Sequence, residues 1–150
     1  MSIPWMVLIG ILISTWAAQA QVSDDLVKIG VLTDLTGPAS DSNGEGSVVA
    51  AQMAVEDFGG RVGGKRIEVI SANHQLKPDI GAEIARRWYD IEHVDLIVDV
   101  PVSAVGLAVQ EVAREKRKLF IADSTATTQF TGKACSPYGI QWVLDTFALA

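Results

Sequence analysis

The sequence is poor in cysteine and in basic residues. Its 150 residues include one cysteine, Cys135, and an odd cysteine implies a free thiol or a partner outside the sequence. The 12 Lys and Arg residues are outnumbered by 18 Asp and Glu residues, which gives a net charge of −6. Nucleic acids are bound through clustered cations, so this charge balance argues against a nucleic-acid partner.

The motifs of common catalytic and cofactor sites are also missing. There is neither a Gly-Lys-Ser/Thr phosphate loop nor a G-x-S-x-G nucleophile elbow. Residues 44–49 begin like a dinucleotide fingerprint but have valine in place of its third glycine. His74 and His93 have no second metal ligand at a diagnostic spacing, and we expect both at the surface. The sequence therefore predicts no catalytic residue, no cofactor and no metal site.

No apolar run in the sequence has the length of a transmembrane helix. The longest covers residues 3–16, about 14 residues, whereas a membrane-spanning helix needs ~20. The sequence Ala-Gln-Ala follows at residues 18–20, a small-x-small pattern typical of signal peptidase sites. We therefore predict a signal peptide at residues 1–20 and a mature chain at residues 21–150. The first four residues lack the usual Lys or Arg, so an uncleaved anchor is the alternative.

The mature part has the length of about one domain, and strand patterns alternate with helix patterns along it. Apolar residues make up 49% of the sequence and charged residues 20%, a composition typical of folded domains. Strands are predicted at residues 27–33, 66–72, 94–100, 119–122 and 140–144, and helices at residues 44–58, 78–91 and 103–118. This alternation predicts an α/β fold, an open parallel sheet with helices on both faces.

Each predicted helix has one apolar face, which we expect to pack inward. The residues on these faces are Val48, Ala51, Val55 and Phe58 in the first helix, Ile80, Ile84, Trp88 and Ile91 in the second, and Val105, Val109 and Val112 in the third.

The loops that follow the strands contain the candidate binding residues. Ligands of open α/β sheets bind outside the carboxyl ends of the strands. Here those ends lead into residues 33–43, 99–103 and 123–128, which are rich in Gly, Ser, Thr and Asp. Ser103 is predicted to cap a helix whose free N–H groups favour an anion such as a carboxylate, and capping alone is the alternative. Further hydroxyls nearby belong to Ser124, Thr125 and Thr127.

Three acidic residues, Asp34, Asp99 and Asp123, stand at or near strand ends. They could act as catalytic carboxylates, bind a cation, or accept hydrogen bonds from loop amides. The last interpretation is favoured, because no nucleophile and base can be paired from the sequence.

Four segments in order resemble a known family. They are VKIGVLTDLTGP at residues 27–38, AAQMAVEDF at residues 50–58, GGKRIEV at residues 63–69 and TGK at residues 131–133. With them, residues 26–150 resemble the N-terminal lobe of the periplasmic substrate-binding proteins of branched-chain amino acid type ABC transporters. This is the family of leucine-binding and isoleucine/valine-binding proteins.

The resemblance implies a type I periplasmic binding protein, in which two lobes close on a ligand by a hinge. It also implies a periplasmic location, a small carboxylated ligand such as an amino acid or an aromatic or other organic acid, a membrane permease as partner, and no enzyme activity. The family's binding positions correspond here to Ser103, Ser124, Thr125, Ala126 and Thr127. Ala126 stands where the family has a binding threonine, so either Thr125 or Thr127 takes that role or the ligand is not an α-amino acid.

The resemblance covers one lobe, and we expect the sequence to be an incomplete N-terminal lobe whose second lobe is absent. Residues 145–150 read as a helix that begins without a stop signal, which agrees with this expectation. In longer relatives Cys135 is expected to pair with a cysteine beyond residue 150. Two other functions stay open: a ligand-sensing domain of a receptor or regulator with this fold, and an α/β enzyme with an unrecognised site.

Overall fold

The computed structural model describes residues 25–150, and the predicted signal peptide lies outside this range. The elements in chain order are β1 (Leu26–Thr33), α1 (Gly44–Asp57), β2 (Arg61–Val62), β3 (Lys65–Asn73), α2 (Pro78–Asp90), β4 (Leu96–Asp99), α3 (Ser103–Lys116), β5 (Leu119–Ala122) and β6 (Gly139–Gln141). Within residues 25–150, no helix has the length and apolar character needed to span a bilayer.

The six strands form one sheet in the order β2-β3-β1-β4-β5-β6. All neighbours are parallel except β2 and β3, which form an antiparallel hairpin. The predicted open parallel sheet is therefore confirmed. From β1 the chain passes through α1 to β3 on one side, and it later reaches β4 on the other side of β1. The strand order thus reverses between β1 and β4, the position where open α/β sheets bind ligands.

Helices α2 and α3 cover one side of the sheet, which we call the closed face and define by Gly30, Leu32, Ile97 and Phe120. Trp88 of α2 is only 2% exposed and fills the space above Gly30, where a Cβ atom would overlap its ring. The inward residues predicted for α3 are all buried: Val105, Val109 and Val112. The main hydrophobic core therefore lies between the closed face and these two helices.

The opposite side, which we call the open face, is defined by Ile29, Val98, Ile121 and Ile140. Helix α1 packs there mainly against β1 and β3. As a result, the open-face side chains of β4, β5 and β6 are half-buried or exposed. Both faces of the sheet carry a helix, but their coverage is unequal.

The predicted inward packing is wrong for two residues, and both stand at the end of a helix. Phe58 is 66% exposed because α1 ends at Asp57, and Ile91 is 70% exposed because α2 ends at Asp90. Hydrophobic spacing had extended each helix by one residue. The N–H of that residue makes the last helical hydrogen bond, but its side chain lies beyond the covered part of the helix face. Of the predicted α1 face, only Val48 is fully buried.

Several strand boundaries differ from the prediction. The two-residue strand β2 was predicted as part of a turn, and it pairs with β3 as a hairpin. Strand β4 ends at Asp99, one residue earlier than predicted, because Asp99 and Val100 adopt left-handed φ angles of 75° and 62°. Strand β6 covers Gly139–Gln141 and stops before Trp142.

Candidate functional site

Asp99 links three loops at the carboxyl ends of the strands. Its Oδ1 accepts hydrogen bonds from Asn43 Nδ2 at 2.7 Å and from Ser124 Oγ at 2.6 Å. Its backbone N–H donates to the Asp123 carboxylate at 2.7 Å. Asn43 directly precedes α1, so this network joins the loops after β1, β4 and β5 at the point where the strand order reverses.

The turn after β4 has an unusual backbone. A left-handed φ is rare for residues other than glycine, and for a β-branched residue such as Val100 it is an outlier. The turn is fixed by the Val100 N–H, which donates to the Leu32 carbonyl at 2.9 Å, and by the Val100 carbonyl, which accepts from Thr125 Oγ1. Strained conformations of this kind persist where the surroundings over-determine them, and they cluster at functional sites.

Ser103 does not cap α3 as predicted. Val102 occupies the N-cap position in an extended conformation, and Ser103 is the first helical residue without a capping hydrogen bond from its side chain. The Gly106 N–H donates to the Val102 carbonyl at 2.8 Å, so the amides before Gly106 lack helical partners. The half-buried Ser103 hydroxyl therefore lies beside free N–H groups that favour an anion.

The predicted loop 124–127 lies against this turn, and its residues have different roles. The Ser124 hydroxyl donates to Asp99, and the fully buried Thr125 hydroxyl donates to Val100, so both protons are used within the protein. Thr127 Oγ1 accepts from the Gln129 N–H at 3.3 Å, which leaves its proton available. The half-buried Ala126 contributes only a methyl group.

Asp34 stabilises the loop after β1. Its buried carboxylate accepts backbone N–H bonds from Gly37 at 2.8 Å, Ala39 at 3.0 Å and Thr36 at 3.4 Å. Burial alone would raise the pKa of Asp34, but these bonds hold it below its usual value. The favoured interpretation, a carboxylate that accepts bonds from loop amides, is confirmed for Asp34.

His74 is fully buried, so its predicted place at the surface is wrong, whereas His93 is exposed as predicted. The His74 Nδ1 accepts a hydrogen bond from the Leu76 N–H at 3.0 Å, so the proton of the neutral ring is on Nε2. Burial lowers the pKa of His74, although the charges of Asp34 and Asp99 oppose this. His74 follows β3 as Asp34 follows β1, and this equivalence is the sequence signal that could have placed it at the site.

The interior of the site contains two polar atoms without partners. His74 Nε2 and Asp99 Oδ2 are both buried and make no hydrogen bond in residues 25–150. Burial also raises the pKa of the Asp123 carboxyl, and the negative charge of Asp99 adds to this shift. Nowhere in residues 25–150 do three or more His, Cys, Asp or Glu side chains form a group that could hold a metal ion.

A cleft of about 530 Å³ adjoins the loop 124–127. It is lined by Ser124, Ala126, Trp142, Val143, Leu144 and Leu149. The Trp142 side chain is 77% exposed, which is unusual for the largest apolar side chain. The sequence pattern did not indicate this cleft, because it predicts a strand over residues 142–144, whereas the strand ends at Gln141.

Comparison with known proteins gives a consistent assignment. Residues 26–150 match the family model described as a periplasmic binding protein. No curated protein sequence matches the chain. A solved periplasmic binding protein from Burkholderia mallei is 44% identical with a TM-score of 0.80, and the match covers 83% of this chain and 33% of that chain. A branched-chain amino acid ABC transporter periplasmic ligand-binding protein from Burkholderia xenovorans is 40% identical with a TM-score of 0.77. This match covers 79% of this chain and 32% of that chain.

A more distant structure shares the fold alone. A solute-binding protein of an ABC transporter from R. palustris, in complex with 4-hydroxybenzoate, is 23% identical with a TM-score of 0.74, covering 82% of this chain and 33% of that chain. The chain thus spans about a third of the length of these relatives. Its fold is that of the type I periplasmic binding proteins, as the resemblance implies. The match over residues 26–150 and the 44% identity show that the chain belongs to the periplasmic binding protein family of ABC transporters.

Proposed function

We propose that residues 21–150 are the N-terminal ligand-binding lobe of an exported solute-binding protein and that residues 1–20 are its cleaved signal peptide. In this proposal the protein works in the periplasm, captures a small carboxylated ligand and delivers it to the permease of an ABC importer. It binds without catalysis. Family membership and the 40% identity to a ligand-binding protein of such a transporter support this function.

The observation that carries the proposal is the pairing of two loops at the carboxyl ends of β4 and β5. Hydrogen bonds from Ser124 to Asp99 and from Thr125 to Val100 hold the loop 124–127 against the turn that precedes α3. The free amides at the start of α3 and the Ser103 hydroxyl then lie beside this loop. In the proposal these groups bind the ligand carboxylate, with Thr127 as a further donor, while Ser124, Thr125 and Ala126 shape the wall.

The ligand in this proposal is a branched-chain amino acid or a related small carboxylate. The name of the Burkholderia xenovorans relative favours the amino acid. The absence of a hydroxyl at Ala126 and the 4-hydroxybenzoate bound by the structure from R. palustris favour an aromatic acid. Isoleucine and 4-hydroxybenzoate are therefore the two probes to compare.

The test is binding of each probe to the full chain, measured by titration with NMR detection. Replacing Ser103 by alanine should weaken binding by about 1–3 kcal/mol, the usual loss when a hydrogen-bond partner of a charged group is removed. Ser71→Ala, at an exposed position in β3, is the matched control and should leave the dissociation constant unchanged. Equal affinities of the Ser103→Ala variant and the unmodified protein would remove Ser103 from the site.

The location is tested separately. Expression in a Gram-negative host should give a periplasmic protein whose first residue is Gln21, as read by N-terminal sequencing. A cytoplasmic protein that keeps Met1 would contradict the predicted signal peptide.

A further inference from the structure

Two buried side chains, His74 and Asp99, each carry a polar atom that the proposed ligand contacts do not use. The His74 side chain is fully buried, and Asp99 is 3% exposed. Within residues 25–150, His74 Nε2 and Asp99 Oδ2 have no hydrogen-bond partner. Buried polar groups in native proteins are nearly always hydrogen-bonded, because an unpaired group keeps the full cost of losing its water. These two atoms therefore require a partner that is enclosed with them.

The two unpaired atoms are chemically complementary. His74 Nδ1 accepts a hydrogen bond from the Leu76 N–H, so the proton of the neutral ring is on Nε2 and makes this atom a donor. The Asp99 Oδ1 atom already accepts bonds from Asn43 and Ser124, and Oδ2 of the same carboxylate is an acceptor. A protonated ring nitrogen cannot ligate a cation. The missing partner must therefore accept a bond from His74 and donate one to Asp99.

The backbone of β1 fixes the positions of these two residues relative to each other. The His74 N–H donates to the Thr33 carbonyl at 3.0 Å. The N–H of Val100, which follows Asp99, donates to the Leu32 carbonyl at 2.9 Å. The ends of β3 and β4 are thus attached to consecutive carbonyls of the strand between them. The charge of Asp99 also acts on the His74 ring and raises its pKa against the larger effect of burial, which indicates that the two groups are near each other.

Asp34, at the end of β1, supplies a second acceptor between these strands. Its buried carboxylate accepts three backbone N–H bonds and has about four lone-pair sites, so one site is left. Its charge acts on His74 more strongly than that of Asp99 does. One donor and two acceptors match a water molecule, because internal waters make about three hydrogen bonds. A metal ion does not fit, since no group of His, Cys, Asp or Glu side chains in residues 25–150 could hold one.

We infer that one internal water molecule links His74 Nε2–H to Asp99 Oδ2, and that His74 is thereby a positioning residue for the loops that meet at Asp99. The water accepts from His74 and donates to Asp99 and Asp34. Asp99 holds Asn43 and Ser124 through its other oxygen, so the water fixes the carboxylate at both oxygens. His74 thus adds the loop after β3 to this junction without touching a ligand.

The water is tested by NMR on the unliganded full chain, labelled with nitrogen-15 and carbon-13, above the ordinary histidine pKa of about 6.5. Through-bond correlations within the ring identify the Nε2–H signal of His74. This proton should exchange slowly with solvent and show a nuclear Overhauser contact to a long-lived water. His93 is the matched control, because its exposed ring proton should exchange rapidly. A His74 proton without a water contact, or one that exchanges as fast as that of His93, would overturn the inference.

Two substitutions separate the two hydrogen bonds of the His74 ring. His74→Asn keeps an acceptor for the Leu76 N–H at the position of Nδ1 and removes the donor at Nε2. His74→Gln places an amide N–H near the position of Nε2 and removes the acceptor at Nδ1. The side-chain NH₂ signal of Asn43, which donates to Asp99, should shift in His74→Asn and return towards its original position in His74→Gln. Equal shifts in both variants, or no shift in either, would contradict the positioning role.

Ligand affinity separates this inference from the proposed function. Isoleucine and 4-hydroxybenzoate are titrated into the unmodified chain and into both variants. For a probe that binds, His74→Asn should weaken binding about three- to tenfold and His74→Gln less than about threefold, as for substitutions that act on a site without touching the ligand. Equal affinities in all three proteins would overturn the positioning role and leave the proposed function standing. If neither probe binds the unmodified chain, the proposed function fails, and the signals of the unliganded chain still decide the inference.

Discussion

The two faces of the sheet use similar side chains and reach different degrees of burial. On the closed face, Leu32, Ile97 and Phe120 are fully buried under α2 and α3. On the open face, their neighbours in the same strands, such as Val98 and Ile121, are only half-buried. Alternating apolar residues therefore define which side chains share a face of the sheet. The number of helices on that face decides how much of their apolar surface area is buried.

The unequal coverage also leaves a groove beside α1. Its volume is about 320 Å³, and Ile29, Val55, Phe58 and Leu96 are among its lining residues. Hydrophobic stabilisation scales with the apolar area that is buried. Within residues 25–150, the closed face should therefore carry most of the stability and the α1 side should tolerate change.

The largest test of this comparison is the loss of a bulky side chain on each side. Trp88→Ala removes a ring that is 2% exposed and should lower the free energy of unfolding by about 3–5 kcal/mol. Phe58→Ala, at the end of α1, removes a side chain that is 66% exposed and should cost less than about 0.5 kcal/mol. Urea unfolding followed by circular dichroism measures both, and equal losses would contradict the comparison.

Substitutions at two glycines give a second test, because their expected effects on the free energy of unfolding have opposite signs. Gly30→Ala places a methyl group into the Trp88 ring and should destabilise the protein by about 1–3 kcal/mol. Gly46 lies within α1 with no atom within 4 Å of a Cβ, so Gly46→Ala should stabilise by roughly 0.5–1 kcal/mol. The same unfolding experiment applies, and a loss of stability in Gly46→Ala would show that α1 is packed more tightly than its exposure indicates.

The sequence was informative about the elements and less so about which side chains they bury. The bounds of β5 and the buried face of α3 were predicted correctly, because both follow from local patterns bounded by clear turn or charge signals. The exposure of Phe58 and Ile91 was not, since apolar spacing does not say at which residue a helix ends. The weak coverage of the open face was also beyond the pattern, because it depends on where each helix crosses the sheet.

At the candidate site, too, the sequence predicted where the loops lie but not what their side chains bind. Topology alone predicts that the loops after β4 and β5 lie together, and the hydrogen bonds between them are observed. The sequence could not show that the protons of Ser124 and Thr125 are used within the protein, because that depends on side-chain rotamers. The burial of His74 was missed for a related reason: its environment comes from residues far away in the chain, Asp34 and Asp99.

The histidines allow a test of how the free energy of unfolding depends on pH. His74 lies at the edge of the closed face, next to Gly81 of α2. Burial keeps the pKa of His74 below 6.5, its usual value, so below that pH the unfolded chain binds more protons than the folded one. The free energy of unfolding should be highest above pH 6.5 and fall between pH 6.5 and 5, and this fall should be smaller in His74→Asn.

Two controls identify the source of the pH effect. His93→Asn, at an exposed position, should keep the full pH dependence of the unmodified chain. Asp34 has a lowered pKa and loses its contribution only below about pH 3.8, outside this window. The raised pKa of Asp123 acts with the opposite sign and is present in both variants. A pH dependence that persists in His74→Asn would locate the titrating group elsewhere.

The smallest effect is expected from charges on the outer side of the closed face. Lys116 at the end of α3 donates to Asp90 at the end of α2, with a distance of 2.6 Å between Nζ and Oδ2. Both side chains are partly exposed, so water and salt screen the pair, and Lys116→Met should cost about 0.5 kcal/mol or less. A double-mutant cycle with Asp90→Asn at low and high salt isolates the interaction. A coupling as large as the effect of Gly30→Ala would mean that charge, as well as burial, holds α2 and α3 together. A small coupling that disappears in salt would leave burial as the main difference between the two faces.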